Sequence, residues 1–241
     1  MIQLCRCRNY EEISQRAAEL LTAQLTWKKD STLGLATGGS PVGLYRKLRE
    51  RFAEGLVDFS EVKTVNLDEY RGLAPENPQS YRYFMEENLF RHVNIHPENT
   101  YVPNGLEKDT ETACRNYDAV IQRLGGIDLQ LLGIGRNGHI GFNEPSDHFS
   151  SGTHCVKLSE NTIEANQRFF ERREEVPTEA YTMGCGAILR ARRILLLASG
   201  RDKAEAVHAM LYGTITPQLP ASILQLHENV LVLADEEALG Q

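Results

Sequence analysis

Leu129-Gln130-Leu131-Leu132-Gly133-Ile134-Gly135-Arg136-Asn137-Gly138-His139-Ile140-Gly141-Phe142-Asn143-Glu144-Pro145 is the stretch on which the fold turns. Its first six residues carry four aliphatic side chains, the pattern of a short strand buried on both faces. A loop follows, with glycine at 135, 138 and 141, and it holds an asparagine, a histidine and a glutamate. In open α/β sheets the ligand crevice lies just beyond the carboxyl ends of the strands. A buried strand that empties into a polar, glycine-rich loop fits that arrangement.

Working outward, similar short apolar runs stand at Thr32 to Ala36, Val62 to Leu67, Ile194 to Ala198 and Val230 to Ala234. Between them lie longer amphipathic patterns: Tyr10 to Thr26, Val42 to Phe52, Tyr81 to Phe90, Thr110 to Leu124, Glu160 to Phe169 and Lys203 to Leu211. This alternation predicts right-handed βαβ units in an α/β fold, a doubly wound, mostly parallel sheet with helices on both faces. Two helix starts are marked: Ser40 sets a capping hydroxyl before Pro41, and Asp109-Thr110 opens another helix. Segment 71 to 104, with four prolines, reads as an irregular insertion. With no repeat or linker, residues 1–241 read as one domain.

Of 241 residues, 41% are hydrophobic and 24% charged, which excludes a disordered chain or a disulfide miniprotein. A formal net charge of -7 argues against a general nucleic-acid partner and leaves room for a local anion pocket. No apolar run reaches the roughly 20 residues of a membrane helix, and the start has no secretory pattern. A reduced, cytoplasmic protein acting on a small molecule is the expectation, and the five scattered cysteines agree with it.

The strand ends carry the chemistry. Thr37-Gly38-Gly39-Ser40 leads from strand to helix, where backbone N–H groups can meet an anion; the same turn serves equally as a tight connection. Lys203 and Arg168 are candidate cations for that anion, or else solvated surface charges. Asp68 and Glu69 follow an apolar run directly, where a carboxylate works as a general base or as a cap. His139, with Asn137 two residues before and Glu144 five after, is placed for proton transfer with the acid orienting the imidazole. The other six histidines show no such setting and no zinc spacing.

Four stretches together resemble the glucosamine-6-phosphate deaminase family: Leu35-Ala36-Thr37-Gly38-Gly39-Ser40-Pro41, Asn66-Leu67-Asp68-Glu69-Tyr70, Gly133 through His139 to Glu144-Pro145, and Ala165-Asn166-Gln167-Arg168-Phe169-Phe170. The likeness runs through nearly the whole chain in the same order. It implies a modified Rossmann-like fold and conversion of glucosamine 6-phosphate and water to fructose 6-phosphate and ammonia, in amino-sugar catabolism, with no metal or organic cofactor. By the same resemblance, Asp68 moves the proton from C2 to C1, and His139 assists ring opening, oriented by Asn137 and Glu144. Thr37, Gly38, Gly39, Ser40, Arg168 and Lys203 hold the phosphate, and Tyr81 belongs to a mobile lid.

Two departures from the family pattern matter. Better-known members have aspartate where Asn137 stands; an amide orients the imidazole without offering it a negative charge, so an altered pH optimum is expected with the ring-opening role kept. The allosteric, hexameric members carry an arginine and a lysine where this chain has His154 and Val156, and a longer C-terminal helical segment. A short, non-allosteric member with simple saturation kinetics is therefore expected, as a monomer or small homo-oligomer. The rival readings are a 6-phosphogluconolactonase, which shares the broader fold, and a sugar-phosphate sensing module. The acid–base residues at 68 and 139 favour the deaminase.

Overall fold

The computed structural model describes residues 2–158, 163, 172–173 and 176–241. In chain order the elements are β1 (Ile2–Cys7), α1 (Tyr10–Trp27), β2 (Thr32–Leu35), α2 (Val42–Ala53), β3 (Lys63–Asn66), β4 (Asp68–Tyr70), α3 (Tyr81–Asn88), β5 (Thr100–Tyr101) and α4 (Thr110–Arg123). They continue with β6 (Leu129–Gly133), β7 (His154–Lys157), β8 (Glu179–Thr182), α5 (Cys185–Ile188), β9 (Ile194–Ala198), α6 (Ala204–Tyr212) and β10 (Val230–Asp235). The expected helix at 160–169, and Arg168 with it, lies outside the described residues.

Seven strands form one sheet in the order β1-β10-β9-β6-β2-β3-β5, and every neighbouring pair is parallel. Strand positions explain where a ligand belongs. From β2 the chain steps outward through β3 to β5, returns to the middle for β6, then steps the other way through β9 to β10. The reversal falls between β2 and β6. Connections leaving those two strands diverge, and the divergence opens a crevice at their carboxyl ends.

The central strands are mainly apolar because helices cover both faces. Leu33, Leu35, Leu131, Leu132, Leu196, Val232 and Leu233 are at most 1% exposed, and each such side chain contributes roughly 1.5–3 kcal/mol of burial. α1 presents Ile13, Ala17, Ala18, Leu21 and Leu25 inward at helical spacing. Its start is capped by Asn9, which accepts the Glu12 N–H at 3.0 Å. Asp109 caps α4 as its sequence suggested, accepting from the Thr112 N–H at 2.7 Å.

Ser40 does not cap α2. The flanking residue is Pro41, with helical φ and ψ of -88° and -6°, and no side-chain cap bond forms there. Residues 68–70, which follow the expected strand Val62 to Leu67, are themselves extended. They are a strand of a second, antiparallel sheet ordered β4-β8-β7, with Asp68 opposite Thr182 and Glu69 opposite Tyr181. A small apolar cluster of Tyr70, Phe142, Leu158, Ile163, Val176 and Ala180 backs this sheet. The proline-rich 71–104 segment contributes β5, an edge strand of the large sheet, besides α3.

Candidate active site

Where β2 ends, the chain must turn sharply to enter α2. Gly38 takes φ of +83°, a left-handed conformation that costs glycine little. Tyr10, on α1, pins the turn: its hydroxyl donates to the Gly39 carbonyl at 2.9 Å, stands 3.2 Å from the Ser40 carbonyl, and accepts the Gly43 N–H at 2.8 Å. Among the described residues, the N–H groups of Gly38, Gly39 and Ser40 have no protein acceptor. The Ser40 hydroxyl faces the end of β6, close enough that a Cβ on Gly133 would lie 3.2 Å from it. Successive free N–H donors at the head of a helix, with two hydroxyls beside them, suit a phosphate.

Asp68 stands at the other side of the crevice, on β4, and is 5% exposed. Burial pushes its carboxyl up to about 8, and the negative charge of Glu69 adds to the shift. Among the described residues no donor is hydrogen-bonded to it. Glu69 has the opposite circumstances. One carboxylate oxygen accepts the N–H groups of Tyr70 and Tyr81, the other that of Arg82, all at 2.9 Å. Burial raises it to about 7 against the pull of those donors.

The loop after β6 folds back on itself, with the Gly135 N–H donating to the His139 carbonyl at 2.9 Å. The imidazole lies so close over Gly135 that a Cβ there would come within 2.2 Å of the ring; only glycine fits. His139 Nδ1 is 2.8 Å from Asn137 Oδ1, and Asn137 Nδ2 donates to Glu144 at 2.5 Å. That second bond orients the amide so that its oxygen faces the ring. Nδ1 then carries the hydrogen, and Nε2 is the nitrogen left to accept a proton. A second oxygen of Glu144 lies 3.6 Å from Nδ1, so a carboxylate charge reaches the imidazole despite the amide at 137.

These pieces meet in one cavity of about 220 Å³, lined by Thr37, Gly38, Gly39, Ser40, Asp68, Tyr81, Gly135, His139 and Phe142 among others. Larger clefts exist, including one of about 620 Å³ behind β4, but this one joins the anion cradle to the base and the histidine. Asn137 and Glu144 stand behind His139 and do not line it. Lys203 lies on the turn after β9, outside the lining, with its ammonium 3.6 Å from Asp202. Tyr81, at the first position of α3, stacks on Phe142 with centroids 5.9 Å apart, packs against Tyr70 at 4.7 Å, and donates to the Tyr70 hydroxyl at 3.2 Å. Thr37 lines the same cavity. Tyr10, Phe142 and the Glu69 tie to α3 were not apparent from spacing, because each partner lies far along the chain or in another element. No group of three or more side chains suited to a metal occurs among the described residues.

A sequence profile of the family described as glucosamine-6-phosphate isomerases/6-phosphogluconolactonase matches residues 8–233. The chain belongs to this family. Among its relatives is a glucosamine-6-phosphate deaminase of Clostridioides difficile strain 630. It is 56% identical over 235 residues, covering 98% of this chain and 94% of that protein. Another of the same name, from Lachnoclostridium phytofermentans, is 56% identical over 232 residues and covers 96% and 98%. A solved monomeric glucosamine-6-phosphate deaminase superposes with a TM-score of 0.95 at 47% identity, covering 99% of each chain. The 6-phosphogluconolactonase of Thermotoga maritima, at 20% identity and a TM-score of 0.78 over 98% of this chain and all of that one, shares the fold.

Proposed function

We propose that this protein deaminates glucosamine 6-phosphate, producing fructose 6-phosphate and ammonia. The observation that supports this best is the single cavity in which an anion cradle, an unpaired buried carboxyl and an oriented imidazole converge. The 56% identity to deaminases over nearly the full chain favours it over lactone hydrolysis.

The chemistry follows from the order of the steps. The C2 proton becomes acidic only when C1 is a free aldehyde, so the ring must open first. His139 Nε2 takes the proton of the anomeric hydroxyl and delivers it to the ring oxygen as the C1–O bond to it breaks. Asp68 then removes the C2 proton while the substrate ammonium gives one proton to the C1 oxygen, leaving a neutral enolamine, and Asp68 returns its proton to C1. Water adds to the resulting C2 imine, and ammonia leaves. Asp68 must be charged to begin this step; a substrate ammonium held beside it favours that form.

Gly38, Gly39 and Ser40 hold the phosphate through backbone N–H groups, with the Thr37 and Ser40 hydroxyls. Binding at this remote group orients C2 over the carboxylate. Lys203 serves the same phosphate by moving from Asp202, and Arg168 is its second cation. The chain acts alone, as a cytoplasmic monomer without an allosteric effector. A coupled assay for fructose 6-phosphate, with glucosamine 6-phosphate as sole substrate and ammonia measured in parallel, tests the reading. Equal release of both products is the expected result. Hydrolysis of 6-phosphogluconolactone without ammonia from the amino sugar would overturn it.

A further inference from the structure

Asp68 and Glu69 are adjacent on β4, so their side chains leave opposite faces of the strand. Asp68 lines the 220 Å³ cavity, while Glu69 lines the 620 Å³ cleft behind it. The second carboxylate does not line the cavity that holds Asp68. It is nevertheless 3% exposed, and a buried carboxylate is costly unless donors surround it. Those donors are informative. Tyr81 and Arg82 are the first two residues of α3, and their N–H groups have no partner within their own helix. Glu69 accepts both, at 2.9 Å each, and Ser80 accepts the third, from Tyr83, at 3.0 Å.

A helix of eight residues is marginal by itself. Ser80 could cap one N–H locally, yet two of the remaining donors are satisfied by a residue of another element. What this tie holds in place is Tyr81. The ring stacks on Phe142, its hydroxyl reaches Tyr70, and it forms one wall of the cavity that Asp68 and Thr37 also line. A shift of the helix start would move that wall and admit water to the carboxyl.

We propose that Glu69 is a positioning residue. Its carboxylate locks the first turn of α3 to the strand that bears Asp68, and so keeps Tyr81 closed over the cavity. The proposal rests on the deaminase reading for what Asp68 does; the lock itself is readable without turnover.

Three variants and one activity-free measurement test it. Glu69→Gln keeps the shape but sets an amide NH2 against a backbone N–H. Tyr81→Phe removes only the hydroxyl. Ser80→Ala weakens the same helix start by removing the hydroxyl that accepts from the Tyr83 N–H and donates to the Pro75 carbonyl, and it alters no group that lines the cavity. Glu69→Gln should lower kcat about 10-fold or more, in line with what small misplacements cost, and the Glu69→Gln, Tyr81→Phe double variant should be no worse than Glu69→Gln alone. Ser80→Ala should give a smaller loss of kcat, likewise absorbed in combination with Glu69→Gln. Amide hydrogen exchange at Tyr81 and Arg82 should accelerate in Glu69→Gln, with β9 unchanged.

Multiplicative losses for Glu69→Gln and Tyr81→Phe would overturn the proposal, as would unchanged exchange at Tyr81 and Arg82. Should Glu69→Gln not fold, Ser80→Ala with Tyr81→Phe carries the same test, and multiplicative losses there would likewise overturn it. A wild-type protein that makes no fructose 6-phosphate would refute the deaminase reading instead, while the exchange result would still report on the lock.

Discussion

Asp68 is held in a state that folding alone would not choose. Its folded-state pKa, about 8, lies above the ordinary 3.8 because of burial and then the charge of Glu69. The native protein therefore binds the proton more tightly than the unfolded chain, and stability falls as pH rises from about 4 through about 8. Asp68→Asn removes the titration and should stabilise the fold at pH 8.5 by roughly 1–2 kcal/mol, a rise of about 2–8 °C in a chain of this size. The difference should shrink toward pH 4. Thermal melts by circular dichroism across that range measure it, and a gain that grew toward acid pH would contradict the sign. The same variant should lose proton exchange at C2 and overall turnover while still binding the phosphate end, since no cradle atom belongs to residue 68. His139 calls for a different comparison. Its Nδ1 is committed to Asn137 at 2.8 Å, so Nε2 alone can work on the ring oxygen. His139→Gln should slow reaction of the cyclic sugar by about 100-fold or more, within the range of general acid–base contributions, and affect the open-chain form far less. Equal losses with both would remove the histidine from ring opening.

At the scale of the elements, the loop after β6 and the turn after β2 must each keep a shape that their neighbours dictate. An alanine at 135 would thrust its Cβ to 2.2 Å from the His139 ring, so Gly135→Ala should retain the fold yet lose about 100-fold in kcat through a displaced imidazole. Circular dichroism with steady-state kinetics separates the two effects. The turn after β2 depends instead on Tyr10. Tyr10→Phe leaves the Gly43 N–H without its acceptor at 2.8 Å and frees the carbonyls of Gly39 and Ser40, which should raise KM for the sugar phosphate and destabilise by about 1–3 kcal/mol. These contacts mark the limit of what patterns reveal. β2, β6, β9 and β10 were legible as strands because burial on both faces imposes an unbroken apolar run. β4, β7 and β8 were not, since Asp68-Glu69-Tyr70 and His154-Cys155-Val156-Lys157 line a small sheet beside a cleft and carry no strand-like alternation. In the site, the glycine turn, Asp68 and His139 could be found from their places at strand ends. Tyr10 and Phe142 could not, because their roles depend on elements brought together only by the fold. Ser40 misled as a cap because a Ser-Pro pair does not say whether its hydroxyl faces the helix or the neighbouring strand.

For the whole molecule, the position of the site follows from topology. The sheet reverses direction between β2 and β6, and the crevice is built from the ends of those two strands, with β4 of the small sheet closing one side. The surface where an effector phosphate would need cations is poorly equipped. His154 and Val156 lie on β7, beside a cleft of about 370 Å³. Burial lowers the pKa of His154 below its ordinary 6.5, leaving the ring neutral at pH 7.5, and valine offers no charge. Among the described residues, Lys157 is the one lysine or arginine in that lining, and Glu144 shares the cleft with it. A doubly charged phosphate would meet, among the described residues, a single lysine and a carboxylate, far from the paired cations such a ligand prefers. The rate should therefore rise hyperbolically with glucosamine 6-phosphate at pH 7.5, with a Hill coefficient of about 1, as expected for one site without coupling. Addition of N-acetylglucosamine 6-phosphate should leave both kcat and the shape of the curve unchanged. Sedimentation under assay conditions should give a monomer near 27.1 kDa. A sigmoidal curve straightened by the acetylated sugar, together with a larger sedimenting species, would show that a neighbouring copy supplies the missing charge.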